Sequence, residues 1–535
     1  MEHEGQTLAE AQQRLVEVLR DPACYPHAAP CVRVIETHIS YVILTGEFAY
    51  KIKKCVDLGF VDFTTLDKRK RYCDEELRLN SRLAPDIYLE VVPICETSGV
   101  PRVGKGGKVL EYAVRMREFA QEALADRAII RGELTATHID ALAQQVAAFH
   151  ASLPGCAGND EYGGPEAILD NSEQNFSQMR ALPVAAAPRQ LLDEVEAWSA
   201  LEHERLRECF LQRKHEGKVR ECHGDLHLGN IVLLTGPRIF DCIEFNAQLR
   251  WIDVMNDIAF LVMDLRAAGR QDFAARFLNA YLEISGDYAG LRVLRYYLVY
   301  RAMVRAKVSL MRAQQLAGKA AASSSLQEQF CRYLALARTC IRDTRFVLIT
   351  HGFSGSGKTT LSQALVELTG AIRIRSDVER KRLHPDASAG RQQAAVASGL
   401  YSAEVTGQTY RHLLELARVV LESGHGVIVD ATFLKAGPRD MFRAFAAHAG
   451  APFAILDFSV GVETLRSRIG ARLRQGQDAS DADQAVLDHQ LSTHEPLQQP
   501  ERAFVFTYDA ARPPADAKRS QSWSPLLQRL LPPME

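Results

Sequence analysis

The sequence lacks the features that mark secreted, membrane-spanning or zinc-framework proteins. Its eleven cysteines include no C-x-x-C pair, and none follows Cys340, so neither a disulfide scaffold nor a metal framework is expected. The first residues show no basic segment followed by an apolar stretch, and no apolar run reaches the ~18 residues of a membrane span. We therefore expect a cytoplasmic protein that has no membrane partner.

An excess of charge of one sign is also missing. The chain of 535 residues has a formal net charge of -2, with 24% charged and 47% hydrophobic residues. This balance is typical of a globular protein. The sequence has no arginine-rich stripe with interleaved aromatics, so we expect no nucleic-acid partner. Because single cores stop growing near ~250–300 residues, we expect two large domains.

The N-terminal half has the pattern of a small β-rich lobe followed by helices. Strands are predicted at about 32–35, 38–44, 48–53, 88–94 and 109–116, with a helix at about 66–83. From about residue 136 the pattern becomes mostly helical, apart from a motif region at 221–246 with two short strands. These patterns predict a β-rich lobe over about 30–118 and a helical lobe over about 119–343.

The motif region carries residues suited to phosphoryl transfer. Residues 223–230 are HGDLHLGN, in which Asp225 and Asn230 have the spacing of a kinase catalytic loop. One carboxylate must accept or orient the proton of the acceptor hydroxyl, while a carbonyl oxygen one short loop away holds magnesium. Asp241 directly follows an apolar strand at 238–240 and adds a second hard oxygen ligand.

Together these residues resemble the aminoglycoside phosphotransferase-like branch of the protein-kinase fold. The resemblance implies an α+β bilobal domain in which Asp225 is the catalytic base and Asn230 and Asp241 bind magnesium. It also implies that His223 supports the catalytic loop and takes no part in the chemistry.

The same resemblance extends to the β-rich lobe. Lys51 in Phe-Ala-Tyr-Lys stands where kinases place the lysine that grips phosphate. Its expected ion-pair partner is Glu76 on the next helix, with Glu75 as the alternative. Met116 lies in the segment whose backbone is expected to pair with adenine. The chain lacks a G-x-G-x-x-G loop before Lys51 and has residues 37–40, THIS, there, so the nucleotide grip is the weakest part of this site.

Five neighbouring residues are expected to have structural roles. Asp253 and Asp257, one helical turn apart, are expected to dock the catalytic loop. Lys53 and Lys54 are expected at a solvated strand edge, and His227 is expected to pack within the loop. The helices at about 136–215 are expected to wall the acceptor pocket, and they show no dense acidic cluster of the kind that a polycationic acceptor requires.

A second phosphate-binding signature begins at Gly352. Residues 352–359, GFSGSGKT, match the P-loop pattern, with an apolar strand before and a helix after. The glycines let backbone N–H groups surround the phosphates, Lys358 reaches the β and γ oxygens, and Thr359 takes magnesium. The nucleotide-binding residues expected here are Gly352, Ser354, Gly355, Ser356, Gly357, Lys358, Thr359 and Thr360.

The rest of the C-terminal part alternates between strands and helices. Strands are predicted at 346–350, 427–430 and 453–458, with helices at about 358–369, 403–423, 437–449 and 461–474. Such alternation predicts an α/β fold built on a parallel sheet. Asp430 ends the second of these strands and is the expected Walker B acid, a magnesium ligand.

The remaining C-terminal candidates concern the acceptor and the transition state. Asp377 follows a short strand, and its segment resembles those of gluconate kinase-like and zeta toxin-like proteins, which implies that its carboxylate meets the acceptor hydroxyl. Arginines on the helix after residue 461 resemble a kinase lid, with Arg468 and Arg472 as the expected catalytic pair. The alternative is a solvated basic helix face.

Taken together, the order of motifs resembles a bacterial family that joins an aminoglycoside phosphotransferase-like domain, here 1–343, to a P-loop kinase domain, here 344–535, often named AAA family. The resemblance implies a bifunctional phosphotransferase that uses ATP and Mg²⁺ on small hydroxyl-bearing acceptors. One alternative is a nucleotide-sensing regulator in which one domain gates the other, and another is a toxin-like kinase acting on a nucleotide sugar. The sequence predicts no oligomeric state.

Overall fold

The computed structural model of the protein describes residues 2–59, 61–104, 106–156, 161–316, 320–385, 403–475 and 483–531. Its contacts divide the chain into two compact units, each built from two stretches of sequence. Unit 1 comprises Met1–Glu173 and Phe210–Asp264, and unit 2 comprises Gln174–Cys209 and Leu265–Glu535. The predicted boundary between residues 343 and 344 stays a prediction.

The helices, numbered in chain order, are α1 Glu2–Val18, α2 Leu66–Asn80, α3 Ala125–Ile130, α4 Ala136–Ser152, α5 Pro165–Arg180, α6 Ala186–His215, α7 Val254–Ala267, α8 Gln271–Ser285, α9 Leu291–Gln315, α10 Ala320–Ile341, α11 Lys358–Thr369, α12 Ser376–Leu383, α13 Ala403–Glu422, α14 Ala436–His448, α15 Val462–Gln475, α16 Gln484–Thr493 and α17 Ser524–Leu530. The strands are β1 Arg33–Glu36, β2 Ser40–Leu44, β3 Phe48–Lys53, β4 Tyr88–Thr97, β5 Val100–Val103, β6 Lys108–Arg117, β7 Val219–Glu221, β8 Ile231–Leu233, β9 Pro237–Ile239, β10 Trp251–Asp253, β11 Val347–His351, β12 Ile372–Arg375, β13 Val427–Asp430, β14 Phe453–Ser459 and β15 Val505–Asp509.

Unit 1 is organised around a six-stranded antiparallel sheet in the order β1-β2-β3-β6-β4-β5. Alternate residues of β3 serve opposite faces of this sheet. Tyr50 and Ile52 belong to a core cluster with residues of the N-terminal helix α1, while Ala49 belongs to another with Cys73 of α2. By this alternation Lys51 and Lys53 share the face that α2 covers.

The motif region of unit 1 consists of two short antiparallel ribbons. Strand β7 pairs with β10, and β8 pairs with β9. The HGDLHLGN segment lies between β7 and β8, so its ends are fixed by both ribbons. Strand β9 ends two residues before Asp241, which places that residue next to the catalytic loop.

Unit 2 contains a five-stranded sheet in the order β12-β13-β11-β14-β15. Every neighbouring pair in it is parallel, as predicted for the C-terminal part. The strands predicted at 427–430 and 453–458 are present as β13 and β14. Strand β15 was not predicted, because its half-buried residues alternate less clearly between apolar and polar. The predicted fold class, a kinase-like domain followed by an α/β P-loop domain, is confirmed.

Helix α8 lies against the P-loop part of unit 2. Its residue Ala275 belongs to the core cluster that contains Leu348 and Ile428 of the sheet. The amide of Asn279 donates to the carbonyl of Ala371 at 3.0 Å and accepts from the N–H of Arg373 at 2.7 Å. Helix α8 therefore satisfies one backbone group of the edge strand β12 and one of the residue just before it, which protects that edge.

Within the described ranges, no helix has the length and apolar character needed to cross a membrane.

Candidate active sites

Two buried aspartates of α7 hold the catalytic-loop segment of unit 1: Asp257, and Asp264, which accepts from the N–H of Leu228 at 3.0 Å. Asp257, on α7, accepts from the N–H of His223 at 3.2 Å and from the N–H of Gly224 at 2.8 Å. Gly224 has φ +84°, and a Cβ there would meet the carbonyl oxygen of Leu249 at 2.7 Å. Glycine is required at this point, since an L side chain would be strained and would clash.

Asp225 and Asn230 lie together, as their spacing implied. The amide nitrogen of Asn230 donates to Oδ2 of Asp225 at 2.9 Å and to its backbone carbonyl at 3.0 Å. Because the amide nitrogen is used in this way, the amide oxygen of Asn230 is the atom that remains for a metal ion. Asn230 is itself buried, so its orientation is fixed by the fold.

His223 joins the catalytic loop to the strand that precedes Asp241. Its Nδ1 accepts from the N–H of Asp225 at 3.2 Å, and its Nε2 lies 2.9 Å from the carbonyl oxygen of Phe240. The Nε2–H therefore donates to Phe240. Burial lowers the pKa of His223 despite the nearby carboxylate of Asp257, so the ring is neutral at pH 7. This is the supporting position that the resemblance implied.

Asp241 has a backbone conformation that is rare for a residue with a side chain. Its φ is +63°, and its N–H donates to the hydroxyl oxygen of Tyr88 at 3.2 Å. The next residue is also anchored, since the N–H of Cys242 donates to Oδ1 of Asn80 on α2 at 2.9 Å. Strained backbone of this kind is found where the surrounding structure fixes a functional side chain.

Lys51 lies between two carboxylates. Its Nζ is 2.7 Å from Oε1 of Glu76 and 2.5 Å from Oδ1 of Asp241. Burial opposes the charge of Lys51, but the carboxylates of Asp241 and Glu76 outweigh it and raise the pKa of the lysine well above its usual value. Glu75, the alternative partner, instead pairs with Arg78 and Arg250 at 2.7 and 2.8 Å.

Two of the structural expectations for this region are wrong. Lys53 does not lie at a solvated edge: its side chain is 0% exposed and forms ion pairs with Glu76 and Glu244. Asp253 does not dock the catalytic loop, because it holds Arg213 through two hydrogen bonds at 2.6 and 2.8 Å. The period-2 pattern of β3 was the available signal for Lys53, since residues 49, 51 and 53 share one face.

The residues expected on the nucleotide side of this site lie on β3 and β6. Met116 is buried near the end of β6, opposite Ala49 of β3. The turn between β1 and β2 has no glycine and is closed by Thr37, whose N–H donates to the carbonyl of Ser40 at 2.9 Å. Lys51 thus lies on the third strand, after a tight turn and without a glycine-rich loop.

The donors of the first site fit magnesium. Asn230 offers an amide oxygen and Asp241 a carboxylate that is 43% exposed. Magnesium prefers such oxygen ligands. The backbone carbonyl of Asn230 accepts from the N–H of Phe240 at 3.0 Å. This hydrogen bond brings Asn230 next to the residue that precedes Asp241, so the two candidate ligands lie on adjacent backbone segments.

Three glycines of the P-loop in unit 2 have positive φ angles, a backbone conformation that residues with side chains rarely adopt. Gly352, Gly355 and Gly357 have φ values of +148°, +82° and +87°. A Cβ on Gly355 would lie 3.0 Å from the carbonyl oxygen of Leu465 on α15. Lys358 folds back over the loop, and its Nζ donates to the carbonyls of Gly352 and Phe353 at 3.0 and 2.8 Å.

Thr359, at the start of α11, contacts Asp430, the expected Walker B acid at the end of β13. The hydroxyl of Thr359 donates to Oδ2 of Asp430 at 2.8 Å, and hydroxyl and carboxylate oxygens of this kind fit magnesium. The hydroxyl of Ser356 is fully buried and has no hydrogen-bond partner, as expected of a loop built around phosphate oxygens. Ser354 is buried, whereas Thr360 is exposed at the start of α11.

Asp377, the candidate for the acceptor hydroxyl, and Arg468, a lid candidate, lie on different helices, α12 and α15. Asp377 lies in the first turn of α12, two residues after β12, and its Oδ1 is 3.6 Å from the Arg380 guanidinium. Arg468 reaches the P-loop, where it donates to the carbonyls of Ser356 at 3.4 Å and Ala510 at 2.9 Å. The side chain of Arg472 lies outside the described residues.

Sequence reasoning missed two residues that hold the P-loop region. Gln490 of α16 accepts from the N–H of Ser354 at 2.9 Å and donates to its hydroxyl at 3.1 Å. Arg373 of β12 donates to the carbonyl of Thr359 at 2.8 Å. Neither belongs to a local motif, because each contact joins segments that are distant in sequence.

Comparisons with known proteins match both parts of the chain. The family model described as "Phosphotransferase enzyme family" matches residues 62–294, and the one described as "AAA domain" matches residues 347–497. Protein Rv2004c of Mycobacterium tuberculosis (strain ATCC 25618 / H37Rv) is 32% identical over 465 residues, 86% of this chain and 91% of the relative. Protein Mb2027c of Mycobacterium bovis gives the same values.

Two solved structures are also similar to parts of the chain. A choline/ethanolamine kinase family protein from Mesorhizobium loti is 12% identical with a TM-score of 0.34, covering 62% of this chain and 99% of that chain. A gluconokinase from Sinorhizobium meliloti 1021 is 21% identical with a TM-score of 0.26, covering 35% of this chain and 95% of that chain. The identity and coverage of the mycobacterial relatives establish the family: the chain belongs with them and joins a phosphotransferase-family domain to a P-loop AAA domain.

Proposed function

We propose that the protein is a bifunctional ATP-dependent phosphotransferase, which transfers the γ-phosphoryl group of ATP to hydroxyl groups of small molecules at two separate magnesium-dependent sites. One observation carries the proposal: two sets of candidate phosphate- and metal-binding residues are each assembled within one unit. Lys51, Asp225 and Asp241 are held in unit 1, and the P-loop with Thr359 and Asp430 is held in unit 2.

At the first site, Asp225 orients the acceptor hydroxyl and accepts its proton. The hydroxyl oxygen then forms a bond to the γ-phosphorus while the bond to the β–γ bridging oxygen breaks. Lys51, held by Glu76, would bind phosphate oxygens, and Asn230 with Asp241 would hold magnesium. The bound metal supplies charge neutralisation on the phosphates.

At the second site, the loop N–H groups and Lys358 would bind the phosphates, with Thr359 and Asp430 as the metal ligands. Asp377 lies at the same carboxyl edge of the parallel sheet as Asp430, since β12 and β13 are neighbours. We assign Asp377 to the acceptor hydroxyl. Arg468, already in contact with the P-loop, would stabilise charge that develops on the transferred group.

Two single-site variants test the proposal in the full-length protein. γ-labelled ATP and Mg²⁺ are incubated with a metabolite extract, and labelled products are separated for the wild type, Asp225→Ala and Lys358→Ala. Each variant is expected to lose one set of products by about 10²–10⁴-fold and to retain the other. Asp74→Asn, which alters an exposed carboxylate on α2, is the control and should retain both.

Two outcomes would contradict the proposal. If either variant abolished both sets of products, the sites would not be independent. If the Lys358→Ala protein bound ATP but transferred no label in an Asp225-dependent way, unit 1 would be a nucleotide sensor. The turn at Thr37–Ser40, which has no glycine, is the observation that favours this second function.

A further inference from the structure

The histidine in the middle of the catalytic loop, His227, has a fixed proton position. Its Nδ1 lies 3.0 Å from the backbone nitrogen of Gly229. A backbone N–H can only donate, so Nδ1 must accept this hydrogen bond. The neutral ring therefore carries its proton on Nε2.

That Nε2–H faces the candidate base. Nε2 of His227 lies 3.3 Å from Oδ2 of Asp225, the same oxygen that accepts from Asn230 at 2.9 Å. Nitrogen atoms of His227, in the middle of the loop, and of Asn230, at its end, thus both lie near one carboxylate oxygen. Rotation of the Asp225 carboxylate would break the hydrogen bond from Asn230 and would move Oδ2 away from Nε2 of His227.

The surrounding chain is shaped for this imidazole. A Cβ on Gly229 would lie 2.8 Å from Cε1 of His227, although Gly229 does not have a positive φ. The ring packs against Phe260 with centroids 5.2 Å apart, and the side chain is 13% exposed, against 35% for Asp225. Glycine at position 229 is therefore needed for the space that His227 occupies.

We propose that His227 is a positioning residue of the first site, which holds the Asp225 carboxylate through Nε2–H. The inference rests on the proposed function only in taking Asp225 as the base. Hydrogen bonds to a carboxylate reduce its basicity, but phosphoryl transfer through a loose transition state depends more on placement than on base strength. His227 would therefore improve the placement of the Asp225 carboxylate while lowering its basicity.

The first test needs no substrate. Full-length protein labelled with [¹⁵N]histidine is studied by NMR, and the His227 signals are assigned by their loss in His227→Gln. The Nδ1 shift is expected to be that of an unprotonated ring nitrogen, and the Nε2 signal is expected to move in Asp225→Asn. A proton on Nδ1, or an Nε2 signal indifferent to Asp225→Asn, would overturn the proposal.

The second test measures transfer of labelled phosphate from ATP in the metabolite extract, with Lys358→Ala present to silence the second site. His227→Ala should lower kcat about 10–100-fold, the scale of a small misplacement of a reacting group, with KM for ATP unchanged. His227→Gln, which can place a donor near Nε2, should recover most of the loss, and Gly229→Ala should resemble His227→Ala. Equal losses in the Gln and Ala variants would refute positioning. Absence of all Asp225-dependent transfer would contradict the proposed function instead, and the NMR result would decide the role of His227.

Discussion

At the scale of single residues, the adjacent lysines Lys53 and Lys54 have different surroundings and different carboxylate partners. Lys53 is fully buried against Glu76 and Glu244, whereas the side chain of Lys54 is 13% exposed and pairs with Glu36, whose side chain is 64% exposed. Burial raises the pKa of Glu76, but Lys51 and Lys53 outweigh that effect and bring it to about 2. For Glu244, burial prevails over the attraction of Lys53, and its pKa is raised. Lys51, Lys53, Glu76 and Glu244 thus form one buried cluster of charges, and both lysines are needed to balance its carboxylates.

The expected consequence is a large difference between Lys53→Met and Lys54→Met. Removing one partner of a buried ion pair costs about 3–5 kcal/mol because the remaining charges stay buried. Loss of Lys54 leaves only the exposed carboxylate of Glu36 without its partner, and a pair with an exposed carboxylate is expected to contribute about 0–1 kcal/mol. Thermal and urea unfolding of the two full-length variants would measure the difference. Similar losses in both would contradict the assignment of Lys53 to the buried cluster.

The sequence predicted those parts of the sites whose members lie close together in the chain. Asp225 with Asn230, and Lys358 with Thr359, belong to single loops, so spacing alone indicates their proximity. Lys53 and Glu244 are 191 residues apart, and their contact depends on how β3 packs against the segment after β9. Nothing in the local composition identifies that pair, although the face shared with Lys51 was available from the strand period.

At the scale of elements, the edge of the parallel sheet is completed by a helix. Among the strands that the structure describes, β12 has one neighbour, β13. On its other side, Asn279 of α8 bonds to Ala371 and Arg373. Local reasoning correctly predicted the strands β13 and β14, whose apolar runs are continuous. It did not predict the role of α8, because a single asparagine on a helix does not indicate which strand it will contact.

We expect Asn279→Leu to destabilise unit 2 by leaving buried backbone groups of β12 without partners, at about 1–3 kcal/mol for each. Hydrogen exchange would show the effect locally, since the amide of Arg373 should lose protection. Arg276→Gln on the same helix, which removes a partly exposed ion pair with Glu367, is the matched control and should cost under about 1 kcal/mol. Unchanged protection at Arg373 in Asn279→Leu would contradict the role of α8.

At the scale of the whole molecule, matches to family models and physical contacts divide the chain differently. The phosphotransferase family model covers residues 62–294 and so includes α8, whereas the contacts place α8 in unit 2 with the P-loop. Besides Asn279, Glu283 of α8 pairs with Arg375 of β12 at 2.7 Å, and Ala275 lies in the core beneath the sheet. The P-loop part is therefore stabilised by residues on the far side of the predicted boundary between residues 343 and 344.

This arrangement predicts that cutting the chain at that boundary will not release two modules. Residues 342–345 are exposed, so a specific protease site inserted between Asp343 and Thr344 would be accessible in the folded protein. After complete cleavage the two fragments should co-elute in native size-exclusion chromatography and separate in urea, because the contacts of α8 with α11 and β12 join them. Asn279→Leu combined with Glu283→Gln should weaken the association measurably. Fragments that separate at micromolar concentration without denaturant would instead support 1–343 and 344–535 as independent domains.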